Sequence, residues 1–193
     1  AIQALTVTFR YNDVASVTQL FERYPGRIAC LIMEPEKYTP PQEDFLQVVK
    51  RLCHQHGALF ILDEIITGFR HHLGGVQRLY GVVPDLSTFG KIIGGGMPLG
   101  AFGGRRDIMQ KIAPLGPVYQ AGTLSGNPIS VAAGLATLKQ LEAPGFYAAL
   151  ANTTRALTDG LTAIAQRHNV PFSAQAMGGM FGLYFSATPP SSY

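Results

Sequence analysis

The sequence predicts an open α/β fold, a largely parallel sheet flanked by helices, and three observations predict it. Two short, wholly apolar runs each end in acidic residues, Ile28–Met33 before Glu34-Pro35 and Ala58–Leu62 before Asp63-Glu64. A segment of helical period lies between them, and a third strand-like stretch opens into a glycine-rich tract from Gly90 to Gly104. Strand, helix and strand in succession form a βαβ unit, the building block of parallel sheets.

Each element has its own signal. Continuous apolar runs of this length fit strands buried on both faces. Between them Pro40-Pro41 precedes Phe45, Leu46, Val48, Val49, Leu52 and Cys53 at helical spacing, and Gly57 stops the helix. Val76–Tyr80 predicts a short helix and Asp85–Phe89 the next strand. Asn127-Pro128 is an N-cap and N1 pair, so the alanine-rich run Ile129–Leu141 is expected to be helical until Pro144-Gly145. A second long helix is expected from Phe146 to His168, then strand character at Val170-Pro171-Phe172 and at Met180–Phe185. A domain boundary is placed near Pro144, with 1–143 in a large domain and 144–193 beginning a smaller one.

Composition narrows the classes. The 193 residues carry 15 Lys+Arg against 12 Asp+Glu, a net charge of +3, and are 47% hydrophobic with 14% charged. Such a chain folds around a core, and so little charge implies that part of its surface is covered by something else. Basic residues are scattered, in clusters no longer than a pair such as Arg105-Arg106, so no nucleic-acid partner is expected. No apolar run reaches the length of a membrane span. Cys30 and Cys53 sit in apolar segments and read as reduced core thiols. The start at Ala1 and the stop at Tyr193 read as cut ends, so the chain alone would hold part of a site and turn over weakly or not at all.

In an open parallel sheet ligands bind beyond the carboxyl ends of the strands, where Glu34, Asp63 and Lys91 fall. A carboxylate at the end of an apolar strand is costly to bury without a partner. Asp63 is therefore a cap, an ion-pair partner, or the partner of a bound cation. Lys91 is either an ordinary solvated lysine or an amine held open to the crevice by Gly90 and the glycines that follow. A lysine amine in such a crevice can attack a carbonyl, and a carboxylate facing a pyridine ring would keep its nitrogen protonated. The lysine precedes its glycines, which argues against a nucleoside triphosphate loop. His54, His56, His71 and His72 read as surface or capping residues, and Met177 and Met180 as packing.

Three ordered motifs, Asp63–Arg70, Pro84–Gly96 and Gln120–Pro128, give the chain a resemblance to the class III aminotransferases, a pyridoxal-phosphate family. The likeness runs from Tyr11-Asn12-Asp13 to Met180–Phe185. It implies a fold type I large domain plus the start of a small α+β domain. It also implies pyridoxal 5'-phosphate as cofactor, cycling through the pyridoxamine form, and a homodimer with shared active sites. By resemblance Lys91 binds the cofactor covalently, Asp63 pairs with the pyridinium nitrogen, and Ile65 packs on one ring face. Gly122 and Thr123 then belong to the loop that reaches the cofactor phosphate across the dimer interface. The likeness favours the aminomutase branch, which moves an amino group within one small amino-aldehyde, over transaminases that move it between two molecules. It implies a cytoplasmic enzyme, or a stromal one in a plant or alga. One segment departs from the pattern: Glu34-Pro35-Glu36-Lys37-Tyr38-Thr39 runs directly into Pro40-Pro41, so the contacts made by the family's longer loop do not carry over.

Overall fold

The computed structural model describes residues 5–36 and 39–190. Four strands form the main sheet in the order β1-β2-β3-β4. They are β1 Cys30–Met33, β2 Leu59–Glu64, β3 Leu86–Phe89 and β4 Ala101–Gly104. β1, β2 and β3 run parallel and β4 returns antiparallel to β3. Helices α1 (Val14–Arg23), α2 (Phe45–Gln55), α3 (Gly75–Leu79) and α4 (Arg106–Met109) connect or flank them, followed by α5 (Pro128–Leu141) and α6 (Phe146–Arg167). An antiparallel hairpin, β5 Ser173–Met177 and β6 Met180–Tyr184, forms a separate two-stranded sheet.

The core lies between one face of the sheet and α1 and α2. Phe45, Leu46, Val49 and Cys53 share one face of α2 and are buried with Val17 and Phe21 of α1 against Leu31, Met33, Phe60 and Leu62. α2 and α5 match their expected spans to within a residue or two, and Asn127 caps α5 by accepting from the Ile129 and Ser130 amides.

Several expectations are corrected. β1 is not buried on both faces: Leu31 and Met33 face the core while Cys30 is exposed and Ile32 is 54% exposed. The described helices cover one face of the sheet, and Cys30 is accordingly a surface thiol, whereas Cys53 is a core thiol whose pKa burial pushes up to about 12. Val170-Pro171-Phe172 is not a strand. Val170 donates to the Ala165 carbonyl and so belongs to the C-terminal cap of α6, and pairing starts at Ser173. α1 and β4 lack a sequence expectation altogether. α1 is capped by Asp13, which accepts from the Ser16 amide. β4 is reached by a return too short for a crossover helix, which is why it pairs antiparallel. No helix among the described residues is long and apolar enough to cross a membrane.

Candidate active site

Successive side chains of a strand point to opposite faces, and at the end of β2 this divides two acids. Glu64 joins Phe60 and Leu62 on the covered face and is 0% exposed. Its carboxylate accepts from the Val76 amide (2.7 Å), the Gln77 amide (3.1 Å), Gln77 Nε2 (3.0 Å) and Thr67 Oγ1 (3.1 Å). Every lone pair of a buried anion is thus engaged, and the acid anchors the start of α3. Gly75 has φ +71°, and a Cβ there would stand 2.6 Å from Glu64 Oε1, so only glycine fits.

Asp63 lies on the other face, only partly buried, beside Thr88 in the register of β2 and β3. Its Oδ1 accepts from the Ile65 amide (3.0 Å) and from Thr88 Oγ1 (3.2 Å). Both bonds fall on one oxygen, and Oδ2 makes no hydrogen bond among the described residues. The carboxylate is therefore oriented yet retains an acceptor for a protonated ring nitrogen. Thr88 escaped the sequence analysis, although its place on the same face follows from period two along β3.

β3 ends at Phe89, opposite Glu64, and two residues on Lys91 begins a 3-10 turn, Lys91–Gly94. Lys91 is exposed and has φ +47°. Gly90 between them is buried, and a Cβ on it would stand 3.1 Å from Ile65 Cγ2. The Ile65 side chain therefore lies over Gly90 while its amide holds Asp63. Asp63, Ile65 and Lys91 are brought to the carboxyl edge of two adjacent parallel strands. Phe69, with φ +62°, packs its ring 5.4 Å from Phe89 and ties the loop after β2 to the end of β3. Two strained non-glycine residues border the same edge, a pattern concentrated at functional sites. Gly122 and Thr123 are exposed in the turn that leads into α5.

The loop after β1 turns inward at Glu36. Its carboxyl is 2% exposed, accepts from Tyr80 OH at 2.6 Å and lies 3.4 Å from His71 Nε2. Burial raises the pKa of Glu36 despite the tyrosine bond. His71 is not a surface residue: its side chain is 4% exposed, and Nε2 lies 3.2 Å from Met180 Sδ of β6. Burial, aided by Arg70, pushes its pKa down to about 4, so the ring is neutral at pH 7. His54 Nε2 donates to the Asp85 carboxylate, and His56 stacks on Phe21 at 4.7 Å. Lys37 and Tyr38 lie outside the described residues.

A carboxylate with a spare acceptor, an aliphatic side chain over a glycine and an accessible amine form a donor set that fits a pyridine aldehyde. The sequence profile of the class III aminotransferases matches residues 6–191. Glutamate-1-semialdehyde 2,1-aminomutases from Dechloromonas aromatica and Nitrosomonas europaea are 56% and 54% identical over 192 residues, 97% of this chain. The chain spans 45% and 44% of their lengths. Among solved structures, an omega-transaminase from Sphaerobacter thermophilus superposes with a TM-score of 0.81 at 31% identity, over 93% of this chain and 42% of that one. A β-phenylalanine aminotransferase from Variovorax paradoxus gives 0.79 at 36%, over 93% and 43%. With the profile matched over nearly all of its length, the chain belongs to the class III aminotransferase family.

Proposed function

We propose that this chain carries the lysine and aspartate side of a pyridoxal-phosphate site that converts glutamate 1-semialdehyde to 5-aminolevulinate, a step toward tetrapyrroles. The observation that carries the reading is the placement of Asp63, Ile65 and Lys91 at one strand edge, with the identity to two named aminomutases in support. When bound, pyridoxal phosphate supplies an electron sink for carbon–hydrogen cleavage beside a nitrogen. Lys91 would hold the cofactor's aldehyde carbon and, when released, carry a proton between that carbon and the substrate. Asp63, fixed by Thr88 and the Ile65 amide, would keep the ring nitrogen charged through Oδ2. Ile65 would cover one ring face and exclude water.

Gly122 and Thr123 are assigned to the phosphate, bound from a second copy in a homodimer. The same segment exposes Leu115, Val118, Tyr119 and Leu124, apolar side chains suited to an interface. Residues 1–143 are assigned to the large domain and 144–193 to the start of the small one, in keeping with the break at Pro144-Gly145 and the separate hairpin. The bacterial relatives support a cytoplasmic location.

The deciding experiment incubates the full-length protein with pyridoxal phosphate, reduces it with borohydride and maps the labelled peptide. A single pyridoxyl group on Lys91 is expected, and label spread over surface lysines would refute the site. Turnover of the semialdehyde without any added keto acid is expected for the aminomutase. A second reading, a transaminase acting on another amine and keto acid, is favoured by the short, inward-turned segment at Glu36. An absolute requirement for a keto acid would establish it instead.

A further inference from the structure

We propose that Gly134, with Ala133 and Thr137 on the same face of α5, is the seat that positions Lys91. The proposal rests on the function assigned above to that lysine. Lys91 holds φ +47°, a backbone angle that a long side chain leaves unless its surroundings enforce it. The turn it begins is pressed onto α5. A Cβ at position 134 would overlap the Ile93 carbonyl oxygen, and one at Gly95 would stand 2.5 Å from the Ala133 carbonyl and 2.6 Å from Thr137 Oγ1. Leu99 Cβ lies 3.3 Å from where a Cβ of Gly94 would be. The turn is thus packed against both Leu99 and the helix, with no room for a methyl group on either partner of the helix contact.

α5 also begins where the Gly122-Thr123 segment ends. The Ser125 amide donates to the Gly122 carbonyl (2.9 Å), the Asn127 amide to the Leu124 carbonyl (3.1 Å), and the Asn127 side chain caps the helix. One helix therefore carries the proposed phosphate loop at its first turn and the lysine's turn on its middle. In the proposed homodimer that loop serves the other copy's cofactor, so the seat joins the lysine of one site to the phosphate loop of the other.

Gly134→Ala in the full-length protein is the direct test, because glycine to alanine inside a helix by itself favours the helix. Any damage must come from the lost contact. The expected result is a fall in kcat of about 100-fold with KM within about threefold, the scale of a 1 Å misplacement. Two further readouts are expected to move. The visible band of the Lys91-bound cofactor should change with pH at a different midpoint, and in cofactor-free protein the amides of Ile92–Gly95 should exchange faster. Thr137→Ala, which removes atoms instead of adding them, should accelerate the same amides and lower kcat several-fold if Gly134→Ala fails to fold. Variants with unchanged exchange, unchanged band titration and kcat within twofold of the parent would overturn the proposal. Failure of Lys91 to take the pyridoxyl label in the parent would instead refute the function assigned to it, and the exchange data would still decide whether α5 holds the turn.

Discussion

Among the described residues Asp63 accepts two hydrogen bonds on one oxygen and none on the other, which makes its role separable by substitution. Asp63→Asn preserves shape and the Thr88 contact but removes the charge that would keep a ring nitrogen protonated. The expected outcome is retained cofactor with turnover slowed about 100-fold or more, followed by absorbance and steady-state kinetics. A full rate would show that the ring charge is set elsewhere. His71 yields a pH prediction. Its folded pKa of about 4 lies below the ordinary 6.5, so the unfolded chain binds a proton that the folded one refuses. The stability it permits is complete above pH 6.5 and is lost as pH falls toward 4. Urea midpoints of the parent should drop more between pH 7 and pH 5 than those of His71→Gln, and equal slopes would dismiss the ring as the cause. The placement of Asp63 and Lys91 at the strand edge was legible because acids and lysines are conspicuous after apolar runs. The burial of His71 was not, since it depends on Glu36 and Met180, 35 residues before it and 109 after it.

At the scale of elements, β2, α2 and α5 were legible because their signals are local: an apolar run, a 3.6-residue stripe, an Asn-Pro cap. β4 was not, because Ala101–Gly104 is small and glycine-rich and becomes a strand only by pairing with β3. α1 was not read either: its cap is a single bond, from the Ser16 amide to the Asp13 side chain, and its Val17 and Phe21 lie one turn apart on the buried side. In α6, Gly160 is a mid-helix glycine where an added Cβ meets nothing within 4 Å. Gly160→Ala should stabilise the protein by about 0.5–1 kcal/mol, read from thermal unfolding, by reducing the freedom of the unfolded chain. The contrast with Gly134, on the neighbouring helix, separates an incidental glycine from a required one.

Over the whole molecule the lower edge of the sheet is fastened by Asp85. It accepts from the Phe60 amide (2.8 Å) and pairs with Arg105 (2.9 Å) and His54 (2.9 Å), joining β2, the end of β4 and α2. Burial works against the charged form, but the Phe60 amide, Arg105 and His54 outweigh it and hold the carboxyl below its ordinary range. A depressed acid stabilises above its unfolded pKa and ceases to as pH falls through the folded one. Asp85→Asn should cost about 3 kcal/mol at pH 7, with the deficit shrinking in acid, as chemical denaturation at several pH values would show. The open face of the sheet, with Ile32 54% and Phe102 44% exposed, accords with the low charge of the composition. A continuous apolar run looks alike whether its second face is covered by this stretch of chain or by another, which is why β1 was misjudged.

Asp63 and Glu64 are adjacent in sequence and separated by the thickness of a sheet. Sliding β2 by a single position would send the longer acid toward the chemistry and bury the shorter one beneath α3, where it would meet a ring of donors cut for a different reach. The strand thus has one admissible alignment, and a folding error there abolishes both the anchor and the candidate site at a stroke.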